Sequence, residues 1–444
     1  MRSPSRAPSA AADRSEQAGA ALGRGDLPPQ MRVAPPGPRS RELSAVLAST
    51  EAPGVNTVGA GPCVVWAEAA GANVLDVDGN RYLDLTSGFG VAAIGHRHPR
   101  VVAAIAAQAA RLVHGLGDVA AHPTRIALAR RLQAIAPMED ARVYFAVSGS
   151  DAVEIAWKTA VLATGRPRAL AFAPAYHGTS LGVLALTSRD AFRAPFAAIA
   201  GAPAHRLAYG CTAEALDALL DRHAREIACV IAEPVVGREG VLLPPPGWLA
   251  IVAERCRARG IVVVADEIFT GLGRTGTMFA STAEGMAPDL VCCGKALGGG
   301  LPVAAVLGRS SLLAAWDRPG EALHTGTFLA HPLACAAALA TLDVIEGEAL
   351  AERASTLGAM VEERAATWRS LAGVRDVRGR GLLWAVELSH RAAASSAARA
   401  ALERGLLLLG CGEEGRTLQI LPPLTVSRER LALALDLLEE ALCR

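Results

Sequence analysis

The sequence predicts an α/β fold: a large domain on a mostly parallel sheet covered by helices, followed by a smaller α+β domain. Three observations predict it. Short apolar runs recur at 142–147, 168–172, 227–232, 261–266, 290–293 and 303–307, and longer helical patterns separate most of them. The chain has 444 residues, 51% of them hydrophobic, enough to bury a large core. Several polar residues fall just past the ends of the apolar runs, where ligands gather in such sheets.

The elements follow in order. Residues 1–40, rich in Ala, Pro, Ser and Arg, lack the apolar core of a secretory signal, and Asp13, Glu16 and Asp26 oppose a transit peptide. They read as a disordered leader. Residues 41–95 read as an N-terminal segment that packs with the small domain. It opens with a polar, helix-capable stretch and continues into strands at 64–66 and 73–85, with Asp78-Gly79-Asn80 as the hairpin signal. The large domain spans 96–335 and opens with alanine-rich helix over 100–136. The small domain, 336–444, continues one or two long helices from 333–373. It then mixes strands at 382–388, 405–409 and 417–421 with helices at 393–404 and 428–442.

Composition narrows the partners. A net charge of +1 gives no support for binding nucleic acid or an anionic membrane, and 4% aromatic content argues against a base-stacking platform. No uninterrupted apolar stretch of about eighteen residues exists, so no membrane span is expected. Nine cysteines without a C-x-x-C pair read as free thiols in a reducing, cytoplasmic setting. His96-x-His98 has no third ligand at a plausible spacing and reads as loop structure rather than a metal site.

The chemistry concentrates in six segments. Lys295 stands between the apolar Val291-Cys292-Cys293 and the glycines 298–300, and Asp266 ends the apolar run 261–266. A lysine amine can form a Schiff base with an aldehyde cofactor, and a carboxylate can hold a pyridine nitrogen protonated. Ser148-Gly149-Ser150-Asp151 opens a helix after a strand, a phosphate site by geometry and dipole, or an ordinary cap. Tyr176-His177-Gly178 and Glu233-Pro234 each follow a strand; Tyr176 could stack on a heteroaromatic ring and Glu233 could orient an active-site group. Asp266-Glu267-Ile268 places two carboxylates at a strand end, with Asp266 the better candidate for burial. Thr327, in a compact loop before His331-Pro332, could donate its hydroxyl to a phosphate.

Taken as an ordered set, S-G-S-D-A-V-E, Y-H-G, E-P-V, D-E-I-x-T-G-x-G-R-T-G, G-K-A-L-G-G-G and T-F-x-x-H-P resemble the class III, or ω-amine type, aminotransferases, the group of the 4-aminobutyrate and ornithine enzymes. The resemblance spans about residues 45–440. It implies fold type I of the pyridoxal 5'-phosphate enzymes and a homodimer with active sites at the subunit interface. It also implies a ping-pong exchange between an amine donor and a carbonyl acceptor. By the same resemblance, Lys295 is the Schiff-base lysine and proton shuttle, and Asp266 is the partner of the ring nitrogen. Tyr176 and Ile268 sandwich the ring, and Gly149 and Ser150 bind phosphate through backbone amides. His177 falls in the cofactor-binding set, Glu233 is the acid beside the substrate pocket, and Thr327 reaches the phosphate of the neighbouring subunit's cofactor.

The chain departs from the family at three places. Gln419 and Thr179 stand where many members carry carboxylate-binding arginines, and neither supplies an arginine's charge. Phe269 replaces a glutamine near the cofactor's phenolic oxygen. A racemase or aminomutase on the same scaffold would use the same lysine and aspartate. Under either reading Lys295→Ala abolishes turnover in a steady-state assay; full retained activity would overturn both.

Overall fold

The computed structural model describes residues 22–56, 61, 63–200 and 204–443. Near the N-terminus, strands β1 (Trp66–Ala70), β2 (Asn73–Asp76) and β3 (Arg81–Asp84) form an antiparallel meander. Its β2–β3 turn is built around one carboxylate: Asp76 Oδ1 accepts from the amides of Asp78 (2.9 Å) and Asn80 (2.8 Å), while Gly79 adopts φ +84°. His96 Nε2 lies 2.7 Å from Asp84 Oδ2, tying the following loop to β3.

The disordered leader expected over 1–40 does not hold for residues 22–40. Residues 1–21 lie outside the described residues, but 22–40 are fixed to the meander. Leu22 is buried, the amide of Leu27 donates to Asn73 Oδ1 (2.8 Å), and those of Arg32 and Val33 donate to Asn80 Oδ1 (2.7 and 3.0 Å). Asp78 accepts from Arg39 and Ser40 in the first turn of the helix Pro38–Thr50. The segment has no periodicity of its own; side chains 38 to 48 positions away order it.

A seven-stranded sheet forms the centre of the large domain: β4 (Ala141–Ala146), β5 (Arg168–Ala173), β6 (His205–Ala208), β7 (Ile227–Ala232), β8 (Val262–Asp266), β9 (Leu290–Cys293) and β10 (Ala304–Arg309). Its order is β4-β10-β9-β8-β7-β5-β6, and only β10 runs antiparallel to its neighbours. Every residue of β7, β8 and β9 is buried, as a parallel sheet covered on both faces requires. Alternate side chains feed two cores: Val230, Val263 and Val291 on one face, Ile231, Val264 and Cys292 on the other. All nine cysteines are free, and six of them are buried. Among the described residues no helix is long and apolar enough to cross a membrane.

The C-terminal part follows the helices Pro332–Gly347 and Leu350–Trp368. It contains β11 (Val374–Arg380), β12 (Leu383–Leu388), β13 (Leu406–Leu407), β14 (Leu409–Cys411) and β15 (Thr417–Ile420), with helices Arg391–Glu403 and Arg428–Leu442. Four of these strands form the sheet β11-β12-β15-β14, whereas β13 joins β3 in parallel and extends the N-terminal sheet.

Arg274, within the D-E-I-x-T-G-x-G-R-T-G segment, joins the large domain to this part. It is 2% exposed, and its Nη1 donates to the carbonyls of Leu382 (3.1 Å) and Pro422 (2.6 Å). Burial pushes its pKa down to about 9, so it stays charged near neutrality. Arg274→Leu leaves two buried carbonyls without a donor and should cost about 2–5 kcal/mol in a urea denaturation series. A loss below about 1 kcal/mol would mean that water replaces the guanidinium there.

Candidate active site

The carboxyl ends of the parallel strands bring the chemistry together. Gly149 lies just past β4, Tyr176 and His177 past β5, Glu233 past β7, Asp266 and Ile268 at the end of β8, and Lys295 past β9. Asp266 pairs in register with Cys292, so the lysine loop leaves its strand beside the aspartate. All seven, with Ser150, line one cleft of about 830 Å³. Thr327 does not: it is exposed on the loop before the helix Pro332–Gly347 and lies outside its own chain's cleft.

Asp266, 3% exposed, is the electrostatic centre. Its Oδ2 lies 2.6 Å from His177 Nδ1, and its Oδ1 accepts from the Ile268 amide at 3.2 Å. Burial works against protonation of His177, but the hydrogen bond and charge of Asp266 outweigh it and hold the imidazole's pKa above its ordinary value. A carboxylate offers about four acceptor positions, so Asp266 keeps room for a further N–H. Glu267 is buried as well. It faces away from the cleft and accepts from Thr270 Oγ1 (2.5 Å) and the Ser281 amide (2.6 Å), so its role is to fix the loop.

Lys295 is half-buried, and burial lowers its pKa, with Arg238 adding to that and Asp266 and Glu233 opposing it. Its Nζ lies 4.5 Å from the centroid of the Phe269 ring. The backbone at Lys295 has φ +36°, a left-handed conformation that costs a non-glycine residue about 1–3 kcal/mol and persists where surroundings enforce it. Sequence reasoning has no access to this strain.

The helix Gly149–Thr164 aims its first turn at the cleft. Ser148 Oγ accepts from the Asp151 amide (3.2 Å), leaving the amides of Gly149 and Ser150 available to an anion at the positive end of the helix dipole. The Tyr176–Gly178 loop closes over this turn: a Cβ on Gly178, at φ +118°, would sit 2.0 Å from Ser150 Oγ. An anion cradle, a buried carboxylate with spare acceptor capacity and a lysine of lowered pKa together fit a phosphorylated pyridine aldehyde.

Glu233 shapes the same loop. Its Oε1 accepts from the Tyr176 amide (2.9 Å) and its Oε2 from the Gly237 amide (3.1 Å). Burial pushes its pKa up to about 7, with His177 opposing and Asp266 reinforcing the shift. Gln419 is buried alongside and donates from Nε2 to the Gly237 carbonyl at 3.3 Å. Sequence reasoning passed over Arg189, Arg238 and Phe89 in this cleft. Arg238 stood in the Glu233–Gly240 segment, but its direction depends on the turn; Phe89, at φ +62°, arrives from the N-terminal segment.

The comparisons with known proteins agree on one family. The chain matches the family model described as Aminotransferase class-III over residues 56–442. It is 38% identical over 376 residues to the acetylornithine aminotransferase of Methanothermobacter thermautotrophicus, covering 84% of this chain and 93% of the relative. It is 36% identical over 441 residues to the 4-aminobutyrate aminotransferase of Mycobacterium leprae, covering 92% and 96%. Among solved structures, a PLP-bound amine transaminase from an uncultivated Pseudomonas species superposes with a TM-score of 0.82 at 32% identity, covering 89% of this chain and 98% of that one. The chain belongs to the class III aminotransferases, enzymes of fold type I that work with pyridoxal 5'-phosphate. The function that follows is that of a pyridoxal-phosphate-dependent aminotransferase.

The raised pKa of Glu233 has a thermodynamic counterpart. The folded state holds this proton more tightly than the unfolded chain, so the associated stability is full below the ordinary carboxyl value and is lost as pH rises through about 7. Glu233→Gln removes that dependence. Relative to the parent, the variant should gain on the order of 2–3 kcal/mol between pH 4 and pH 8 in denaturant titrations of the cofactor-free protein. Parallel pH profiles for the two proteins would mean that this carboxyl titrates normally.

Proposed function

We propose that the enzyme moves an amino group from an amine, ω-amino or amino-acid donor to a keto acid or aldehyde in two half-reactions, as a cytoplasmic homodimer. The observation that carries this reading is the opening of Lys295 and the His177–Asp266 pair into one cleft.

Bound pyridoxal phosphate supplies an electron sink while its ring nitrogen stays protonated. The protein residues do the rest. Asp266, oriented by His177, would hold the ring nitrogen in its protonated form. The first-turn amides of Gly149 and Ser150 would hold its phosphate, and Tyr176 and Ile268 would bind its ring. Lys295 would hold the cofactor covalently, and as a free amine it would be placed to move a proton at the amine-bearing carbon of the substrate. Its lowered pKa favours the neutral amine that a base requires. Glu233 holds the Tyr176 loop against the cleft and borders the substrate space.

Thr327 serves the neighbouring subunit's cofactor phosphate, which accounts for a loop threonine exposed in the single chain. The nine free thiols accord with a reducing compartment. Sedimentation equilibrium should give twice the chain mass of 45.8 kDa, and a stable monomer with full activity would exclude a shared site. Mixing the holoenzyme with donor amines in the absence of acceptor should convert the cofactor's absorbance to that of its amine form. An unchanged spectrum, with solvent deuterium entering the recovered amine, would favour a racemase or aminomutase.

A further inference from the structure

Arg238 is half-buried in the cleft wall. Its Cζ lies 4.3 Å from the centroid of the Tyr176 ring and 5.5 Å from that of Phe192. Its backbone is pinned where the two domains meet, its carbonyl accepting from the Gly412 amide at 3.0 Å. The adjacent acid, Glu239, accepts at Oε2 from Arg189 Nε at 2.8 Å, and no described carboxylate forms an ion pair with Arg238. Of the other cleft arginines, Arg189 is thus neutralised, and Arg391 is exposed at the rim.

A guanidinium drawn into a cleft without an anion forfeits hydration and gains little in return, unless a ligand completes it. An aromatic face beneath it limits its motion and leaves N–H edges able to grip a carboxylate in two places. The neighbouring polar groups cannot take over. Gln419 is uncharged and already bonded to Gly237, and Thr179 is exposed outside the cleft. We propose that Arg238 is the anion receptor of this active site, and that the preferred substrates carry a carboxylate which it binds. The inference rests on the aminotransferase reading and supplies the substrate class that the reading leaves open.

The test uses holoenzyme and donor pairs that differ only in a carboxylate replaced by methyl: 4-aminobutyrate with butylamine, and alanine with isopropylamine. For the pair that the parent enzyme discriminates, Arg238→Gln should lower the ratio of kcat/KM values by roughly 10- to 100-fold, the range for a charge-assisted pair. Arg238→Lys should give an intermediate ratio. Glutarate, which has no amine to react, should bind the Gln variant more weakly by a similar factor in calorimetry. A parallel fall for both members of a pair, with glutarate affinity kept, assigns Arg238 a structural role and overturns the proposal. So does a parent enzyme with no preference for carboxylates. If no amine converts the cofactor of the parent, the aminotransferase reading fails, while glutarate binding still decides the role of Arg238.

Discussion

A negative charge sealed at the end of a buried strand must be met by a positive one, and the arrangement around Asp266 follows from that requirement. The strand β8 delivers the carboxylate into a site where it is 3% exposed. The loop after β5 crosses β7 in the sheet order to bring His177 to 2.6 Å from it. That loop has no regular structure of its own. It is held because Glu233, from the end of β7, accepts the Tyr176 amide and ties the same carboxyl to the turn at Gly237. Two buried acids on neighbouring strands thus fix one loop, one through an imidazole and the other through backbone amides.

The same crowding sets the character of the lysine. Burial and Arg238 depress its proton affinity while the two acids restore part of it, and the left-handed backbone at Lys295 holds the side chain in the cleft. For the proposed role of Lys295 as a base near neutrality this compromise matters: a lysine in water stays protonated, and one isolated in an apolar pocket would be hard to protonate again. The third acid, Glu267, takes no part because its oxygens are spent on Thr270 and Ser281. Adjacent residues on one strand therefore serve separate purposes, one facing the cleft and the other fixing the loop behind it.

Much of this was legible before any coordinates. Strands β7, β8 and β9 are apolar runs broken only by Asp266 at an end, and such runs stay readable because both faces of the sheet are covered; β4, β5 and β10 are apolar apart from Arg142, Arg168 and Arg309. The cleft residues that the sequence marks, from Gly149 to Lys295, were readable because each stands close to a strand end. What escaped notice has a common cause. Strand β6 is His-Arg-Leu-Ala at a sheet edge, and β11 interleaves arginines with valines, so neither carries an apolar signature. Residues 22–40 borrow their order from Asn73, Asn80 and Asp78. The burial of Glu267, the strain at Lys295 and the exposure of Arg238 to the cleft are properties of three-dimensional neighbours, and a residue's own sequence context does not encode them.

The N-terminal sheet is closed by a strand from the far end of the chain, and this carries a consequence for how the protein is made. β3 pairs with β13 across more than three hundred residues, Ser87 Oγ donates to the Leu421 carbonyl at 2.7 Å, and the Leu421 amide returns to Leu85 at 2.8 Å. The segment carrying these contacts also borders the lysine, with Leu421 and the aliphatic part of Lys295 both facing Gly90. Such long-range pairing forms late, because a long loop must close before its contacts return anything. On the ribosome the central sheet can assemble while the N-terminal meander waits for its last strand. The cleft around Lys295 is therefore completed only after residues 406–421 have been made, and until then a nascent chain carries that lysine in an unfinished site.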